Sequence, residues 1–270
     1  RVLFRSPSDR FALLADTHIW EKTDETVRGV KMSDNFAAVA DEVLAQDAAP
    51  AAVLIAGDCA YLEGEAADYK QLVRMIEPYR KAGLPVHFAL GNHDHRQRFW
   101  EAFPKSTCAD ERPVESKHLL VVEAPKANWF LLDSLQKTNF TPGRLGDAQL
   151  KWLAGQLDAR PDKPAIVLAH HNLVPGGAGS GLQDTDPLWE VIVKRPQVKA
   201  YLHGHTHHWN LTRRDGVHVV GLPPTAYLFN DTDPNGWVEA VVEERQMTLC
   251  LYSLDKSHPV HETCHRLAWR

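Results

Sequence analysis

Four histidines fall within six positions of the stretch YLHGHTHHWN, from His203 to His208. Other short polar motifs could act with them: Asp16 and His18 in DTH, Asp58 closing AAVLIAGD, Asn92, His93 and Asp94 in GNHD, and His170 opening a histidine pair after PAIVLA. Carboxylate, imidazole and amide donors are borderline-to-hard ligands, suited to Mn, Fe or Zn rather than to Cu(I) or an iron–sulfur centre. Asp16, His18, Asp58, Asn92, His170, His205 and His207 together exceed what one ion needs. Two ions about 3.5–4 Å apart, sharing a carboxylate and a hydroxide, would use them all, and such a pair clamps the attacking and leaving oxygens of an in-line displacement at phosphorus.

Each motif ends a short apolar run: FALLADTH, AAVLIAGD, PVHFALGNHD, PAIVLAHH and VKAYLHGHTHH. These have the pattern of buried strands delivering side chains to a sheet edge, where open α/β sheets place their ligands. Strand alternation predicts that Asp16 and His18 share a face, as do His205 and His207. His203 has the same parity and is expected to line or support the site, whereas His208 points away. Between the strands, Ser33 or Asp34 can cap a helix over NFAAVADEVLAQ. A second helix is expected from Glu65 to the closing Gly83, and a third after Gly146. KHLLVVEAPKANWFLLDS reads as two strands turning at 125–128, and Asp215–Gly216 marks a hairpin ahead of further strands through Leu254. With no linker and no repeat, a single domain over 1–270 is expected, of α/β class, with two packed sheets flanked by helices.

Composition narrows the partners. The chain has 44% hydrophobic and 24% charged residues, and 30 Lys+Arg against 35 Asp+Glu give a formal charge of −5. There is no long basic run, so capture of polymeric nucleic acid or an anionic membrane is not expected. No apolar run approaches the roughly 18 residues of a membrane span, and a soluble protein is expected. The chain begins at Arg1 rather than methionine, which suits a cleaved export signal, and both a cytoplasmic and an exported protein stay open. Cys59, Cys108, Cys250 and Cys264 lack C-x-x-C spacing. Buried free thiols are the preferred reading, with a Cys250–Cys264 disulfide expected only for an exported protein.

The ordered set D-x-H, G-D, G-N-H-D, H and G-H-x-H, running from Asp16 to His207, resembles the calcineurin-like metallophosphoesterase superfamily. GNHD together with DTH and GHTH looks most like its cyclic-nucleotide and glycerophosphodiester branch, although Asn172 stands where that branch often has proline. The resemblance implies a four-layer α/β/β/α sandwich with two central mixed sheets. It also implies that Asp16, His18, Asp58 and His207 hold one metal, and that Asp58 bridges to a second completed by Asn92, His170 and His205. A metal-bridging hydroxide would attack phosphorus, with His93, oriented by Asp94, assisting the leaving group. The expected substrate is a small phosphate ester, most of all a diester.

Monoester and nucleotide pyrophosphate hydrolysis on the same site remain alternatives, as does a silent metal-binding scaffold, against which His93 and Asp94 argue. Metal identity and oligomeric state are left open. A metallo-β-lactamase-like site would need aspartate at 207. Arg96 and Arg98 are the nearest cations that could favour monoesters, though solvation is preferred for both. The glycine-rich stretch 175–186 lacks P-loop spacing and is expected to form a mobile rim or lid. Cys59, Trp152 and Leu153 read as packing residues. Trp20, Tyr61, His171 and Asn172 are candidates either for packing or for shaping the pocket.

Overall fold

The computed structural model describes residues 3–5, 8–104 and 113–270. Cys108 lies outside the described residues. The first half of the chain runs β1 (Leu3–Arg5), β2 (Arg10–Leu14), α1 (Met32–Leu44), β3 (Ala52–Ala56), α2 (Ala66–Met75), α3 (Glu77–Lys81), β4 (Val86–Ala89), α4 (Arg96–Ala102), β5 (Leu120–Glu123) and β6 (Asn128–Leu131). The second half adds α5 (Asp147–Asp158), β7 (Ala165–Leu168), α6 (Thr185–Val193), β8 (Val198–His203), β9 (Asn210–Arg214), β10 (Val217–Gly221), β11 (Gly236–Val242), β12 (Gln246–Ser253) and β13 (Thr263–Ala268).

One sheet has the order β1-β5-β6-β7-β8-β10-β9 and the other β13-β12-β11-β2-β3-β4, and both mix parallel and antiparallel pairs. Period-two alternation turns them into layers. In β2, Phe11 and Leu13 enter the core between the sheets, while Ala12 and Leu14 pack on the helical side with Phe36 and Val39 of α1. In β7, Ile166 and Leu168 face the same inter-sheet core, and Val167 meets Leu153 of α5 and Leu188 of α6. The result is the expected α/β/β/α sandwich of two mixed sheets. Trp129, fully buried, meets Phe11 across the sheets with ring centroids 5.0 Å apart. Truncating an aromatic so placed costs about 3–5 kcal/mol.

Three local expectations are corrected. The single helix from Glu65 to Gly83 is two, because Pro78 lacks the N–H that would continue the ladder. The first helix begins at Met32, so Ser33 and Asp34 lie in its first turn instead of capping it, and the Ser33 hydroxyl donates to the Thr23 carbonyl. Cys250 and Cys264 are disulfide-bonded, because β12 and β13 place them directly opposite each other, and among the described residues Cys59 is the one free, buried thiol. The strands β1 and β13 and the helices α4 and α6 are further elements. The Asp215–Gly216 hairpin and the strand pair around 125–128 form as expected. Leu153 is fully buried, with Trp152 packed against the same core.

Candidate active site

The carboxyl ends of β2, β3 and β4 in one sheet meet those of β7 and β8 in the other, and all seven candidate ligands gather there. None lies inside a strand: β2 stops at Leu14 and β8 at His203. The pleat therefore does not aim these side chains. Left-handed backbone aims five of the seven, with φ of 51° at Asp16, 43° at His18, 47° at Asp58, 67° at His205 and 50° at His207. A side-chain-bearing residue in that region is strained by about 1–2 kcal/mol, and such strain clusters at functional sites. The glycines of the motifs have a complementary reason. A Cβ on Gly91 would lie 2.2 Å from Asp58 Oδ1, and one on Gly204 would lie 2.4 Å from Asp16 Oδ2.

Ligand atoms of Asp16, His18 and His207 lie within 4.8 Å of one another, as do those of Asp16, Asp58 and His170 and those of His170, His171 and His205. Asp58 Oδ2 is the hub, 3.2 Å from His170 Nε2, 3.9 Å from His18 Nε2 and 4.0 Å from His93 Nε2. Asn92 Oδ1 is 3.2 Å from His170 Nε2. Backbone carbonyls choose the tautomers. His170 Nδ1–H donates to Ala56 (2.8 Å), His207 Nδ1–H to Tyr227 (2.7 Å) and His205 Nε2–H to Ser180 (2.9 Å), so the opposite nitrogen of each ring faces inward with its lone pair.

The inward nitrogens of His18 and His207 stand 3.2 Å apart, and those of His170 and His205 stand 3.3 Å apart. Imidazole nitrogens packed this closely around two buried carboxylates, with the buried His18 Nδ1 left without a hydrogen-bond partner, form a donor set that fits metal ions. The electrostatics agree. Burial alone would raise the Asp58 carboxyl, yet His170, His93 and His18 outweigh it and hold Asp58 well below the usual carboxylate range. Burial pulls His170 down, but Asp58 and Asp16 outweigh that and hold it up at about 9. Burial presses His18 down to about 3 and His205 to about 4, which keeps both neutral and ligand-ready.

Asp94 does not orient His93. Its carboxylate accepts from the backbone N–H groups of Gly91, Cys59 and Ala60 and from the Tyr69 hydroxyl (2.9–3.2 Å), binding the GD and GNHD loops together. Burial pushes Asp94 up to about 6. The group on His93 is the Leu62 carbonyl, 2.8 Å from Nδ1, while the His93 backbone N–H donates to Asp58 Oδ1 at 2.8 Å.

Neither Arg96 nor Arg98 lines the cleft, and Arg98 is partly exposed. Arg96 makes a two-pronged pair with buried Asp133 (2.7 and 3.0 Å), and Arg98 pairs with Glu65 at 3.0 Å. His171, close to His170 and His205, has both nitrogens engaged, by Ser134 Oγ at 2.7 Å and the Thr141 carbonyl at 2.9 Å. His203 is buried on the Gly204 carbonyl, His208 pairs at the surface with Asp233, and His95 caps α4. Trp20 and Tyr61 pack on each other, near Met32.

A cleft of about 480 Å³ opens over the cluster. His18, Asp58, Asn92, His93, His205 and His207 line it, joined by Thr141, Ser180, Thr206, Tyr227 and Phe229. Asp16 and His170 lie fully buried beneath. Ser180 places the glycine-rich stretch at the rim. The loop with Tyr227 and Phe229 escaped the motif reading, and its one signal is an exposed aromatic in the polar run YLFNDTDPN.

A two-sheet sandwich with this Asp/His cluster at converging strand ends is the architecture of a metallophosphoesterase. The family model for calcineurin-like phosphoesterases matches residues 9–209, and the chain belongs to that family. It is similar to the 3',5'-cyclic adenosine monophosphate phosphodiesterase CpdA of Vibrio vulnificus, 29% identical over 240 residues that cover 84% of this chain and 82% of that protein. The CpdA of Escherichia coli K12 is 27% identical over 247 residues, with 84% and 83% covered. Among solved structures, a dimetal phosphatase from Danio rerio superposes with a TM-score of 0.75 at 13% identity, covering 98% of this chain and all (100%) of the other. A purple acid phosphatase from yellow lupin gives 0.68 at 16% identity, with 97% and 54% covered. Both structural likenesses speak to the fold. Among the described residues no helix is long and apolar enough to cross a membrane.

Proposed function

We propose that this phosphoesterase hydrolyses small phosphodiesters, 3',5'-cyclic nucleotides foremost, using two ions of Mn, Fe or Zn. Asp16, His18, Asp58 and His207 would hold one ion, and Asp58, Asn92, His170 and His205 the other. When bound, the ions supply Lewis-acid polarisation of the phosphoryl group and a nucleophile at neutral pH. The Ala56, Tyr227 and Ser180 carbonyls keep the imidazoles in their ligating tautomers. The Leu62 carbonyl fixes His93 Nδ1 as a donor, which leaves Nε2, at the cleft, as the atom that passes a proton to the departing alkoxide. Asp94 acts by holding the loops that carry Asp58 and Asn92.

The convergence of the imidazole nitrogens of His170, His18 and His93 on Asp58 Oδ2 carries this reading. Diesters are preferred over monoesters because, among the described residues, no Lys or Arg lines the cleft beside the Asp/His cluster to meet a second negative charge, and Arg28 stands outside that lining, over the Phe229 and Tyr227 rings. The cyclic phosphodiesterase relatives point the same way. The test is to strip the protein with a chelator, restore Mn²⁺, Fe²⁺ or Zn²⁺ singly, and compare cyclic AMP with p-nitrophenyl phosphate. Metal-dependent turnover of the diester should dominate, and Asp58→Ala should lose on the order of 10²-fold or more. Equal turnover without metal, or a monoester preference, would contradict the proposal.

A further inference from the structure

We infer that Phe229 and Arg28 form a second subsite of the cleft, a platform on which the purine base of a nucleoside phosphodiester stacks. The inference rests on the diesterase reading and adds to it the part of the substrate the metals do not touch. Phe229 is the most exposed of the large hydrophobic side chains described, at 54%, although it lines the cleft. Its position is nevertheless fixed. The ring lies parallel to His207, with centroids 3.9 Å apart and planes 12° off, and His207 is itself locked on the Tyr227 carbonyl.

Arg28 is presented to the same ring. Val27 and Val30 exchange backbone hydrogen bonds (2.8 and 3.1 Å), which puts Arg28 and Gly29 at the tip of a tight turn with φ of 49° and 83°. The two valines pack on the small cluster of Met32, Ala226 and Tyr227, so the tip is anchored to the segment that leads to Phe229. The Arg28 guanidinium is 5.1 Å from the Phe229 centroid and 5.7 Å from that of Tyr227, and among the described residues it joins no ion pair.

A guanidinium lying over a largely exposed aromatic ring suits a ligand that has both a π-surface and hydrogen-bond acceptors in its plane, which is what a purine offers. A cationic alcohol group would be repelled by Arg28, and an aliphatic one would leave its donors unused. Because Phe229 stacks on a residue of the metal cluster, a base placed there lies within a sugar's reach of the phosphate.

The test compares cyclic AMP with the same cyclic sugar phosphate lacking a base, on Mn²⁺-loaded protein. For Phe229→Ala the preference for cyclic AMP should fall about 5- to 150-fold, mostly through KM. Phe229→Trp should restore it, and Arg28→Ala should lower it in the same sense. The ring is largely exposed, so the variants should fold, which melting curves check. If Phe229→Ala slows both esters equally, or tryptophan fails to rescue, the ring serves only to support His207 and the subsite is refuted. A wild-type protein inactive on both diesters overturns the reading of the reaction, and the subsite with it.

Discussion

Replacing Gly91 by alanine adds one methyl group to the wall of the metal cluster. The backbone at Gly91 is not left-handed, so the effect is steric alone. The new Cβ would stand 2.2 Å from Asp58 Oδ1, 2.5 Å from Asp58 N and 2.7 Å from His170 Cδ2. Carbon and oxygen settle no closer than about 3.3 Å, so the carboxylate must retreat by about 1 Å. It has little room to do so, since Oδ1 takes the His93 backbone N–H at 2.8 Å and Oδ2 faces His170 Nε2 at 3.2 Å. A shift of that size in a reacting geometry costs about 10²-fold in rate, and overpacking costs about 1–3 kcal/mol of stability.

We therefore expect Gly91→Ala to remain folded, to melt a few degrees lower, and to lose about 10²-fold in kcat/KM on cyclic AMP with excess Mn²⁺. Bound metal, counted by elemental analysis, should fall as well. The reference is Gly155→Ala, on the exposed side of α5 with nothing within 4 Å of its new Cβ, which should gain about 1 kcal/mol from helix propensity at unchanged activity. A Gly91→Ala protein with wild-type kcat/KM and full metal content would refute the claim that Asp58 is held rigidly at the hub.

Two other outcomes are expected. Burial alone would raise the Asp133 carboxyl, but Arg96 and Lys117 outweigh it and its folded pKa lies below the ordinary 3.8. Its stabilisation is therefore complete above that unfolded value and is lost as pH falls below it. Asp133→Asn should cost about 3–5 kcal/mol at pH 7, and the gap to wild type should narrow by about 1.4 kcal/mol per unit below about pH 4. Urea titrations at pH 7, 5 and 3 read this directly, and a gap that stays constant down to pH 3 would contradict the sign. The Cys250–Cys264 bond closes a loop with a sequence separation of 14, so Cys264→Ser should lower stability by about 3 kcal/mol, and added reductant should move the wild type but not the variant.

Much of the molecule is legible from local pattern. Apolar runs of strand length, each ended by aspartate, asparagine or histidine, identify the strands and their order at the cleft, because burial on both faces demands continuous hydrophobicity and the metals demand donors where the strands stop. All seven candidate ligands meet at one cluster for that reason. The manner of meeting was not legible. Alternation along a strand cannot aim Asp16, His18, His205 and His207, because the chain has left the pleat by then and left-handed turns set their directions.

Neighbourhood in sequence also misled at Asp94, whose adjacent histidine turns to the Leu62 carbonyl while the carboxylate collects backbone donors from another loop. Asp133, the Cys250–Cys264 register and the Phe229 rim carry no motif, since each acquires its role only from a partner on a distant strand or loop. What the amino-acid sequence by itself determined was the layered fold and the identity of the metal-capable side chains, both products of short-range chemistry. Tautomers, the hub position of Asp58 and the walls of the cleft were decided only by tertiary structure, because they depend on carbonyls and rings that packing brings across the two sheets.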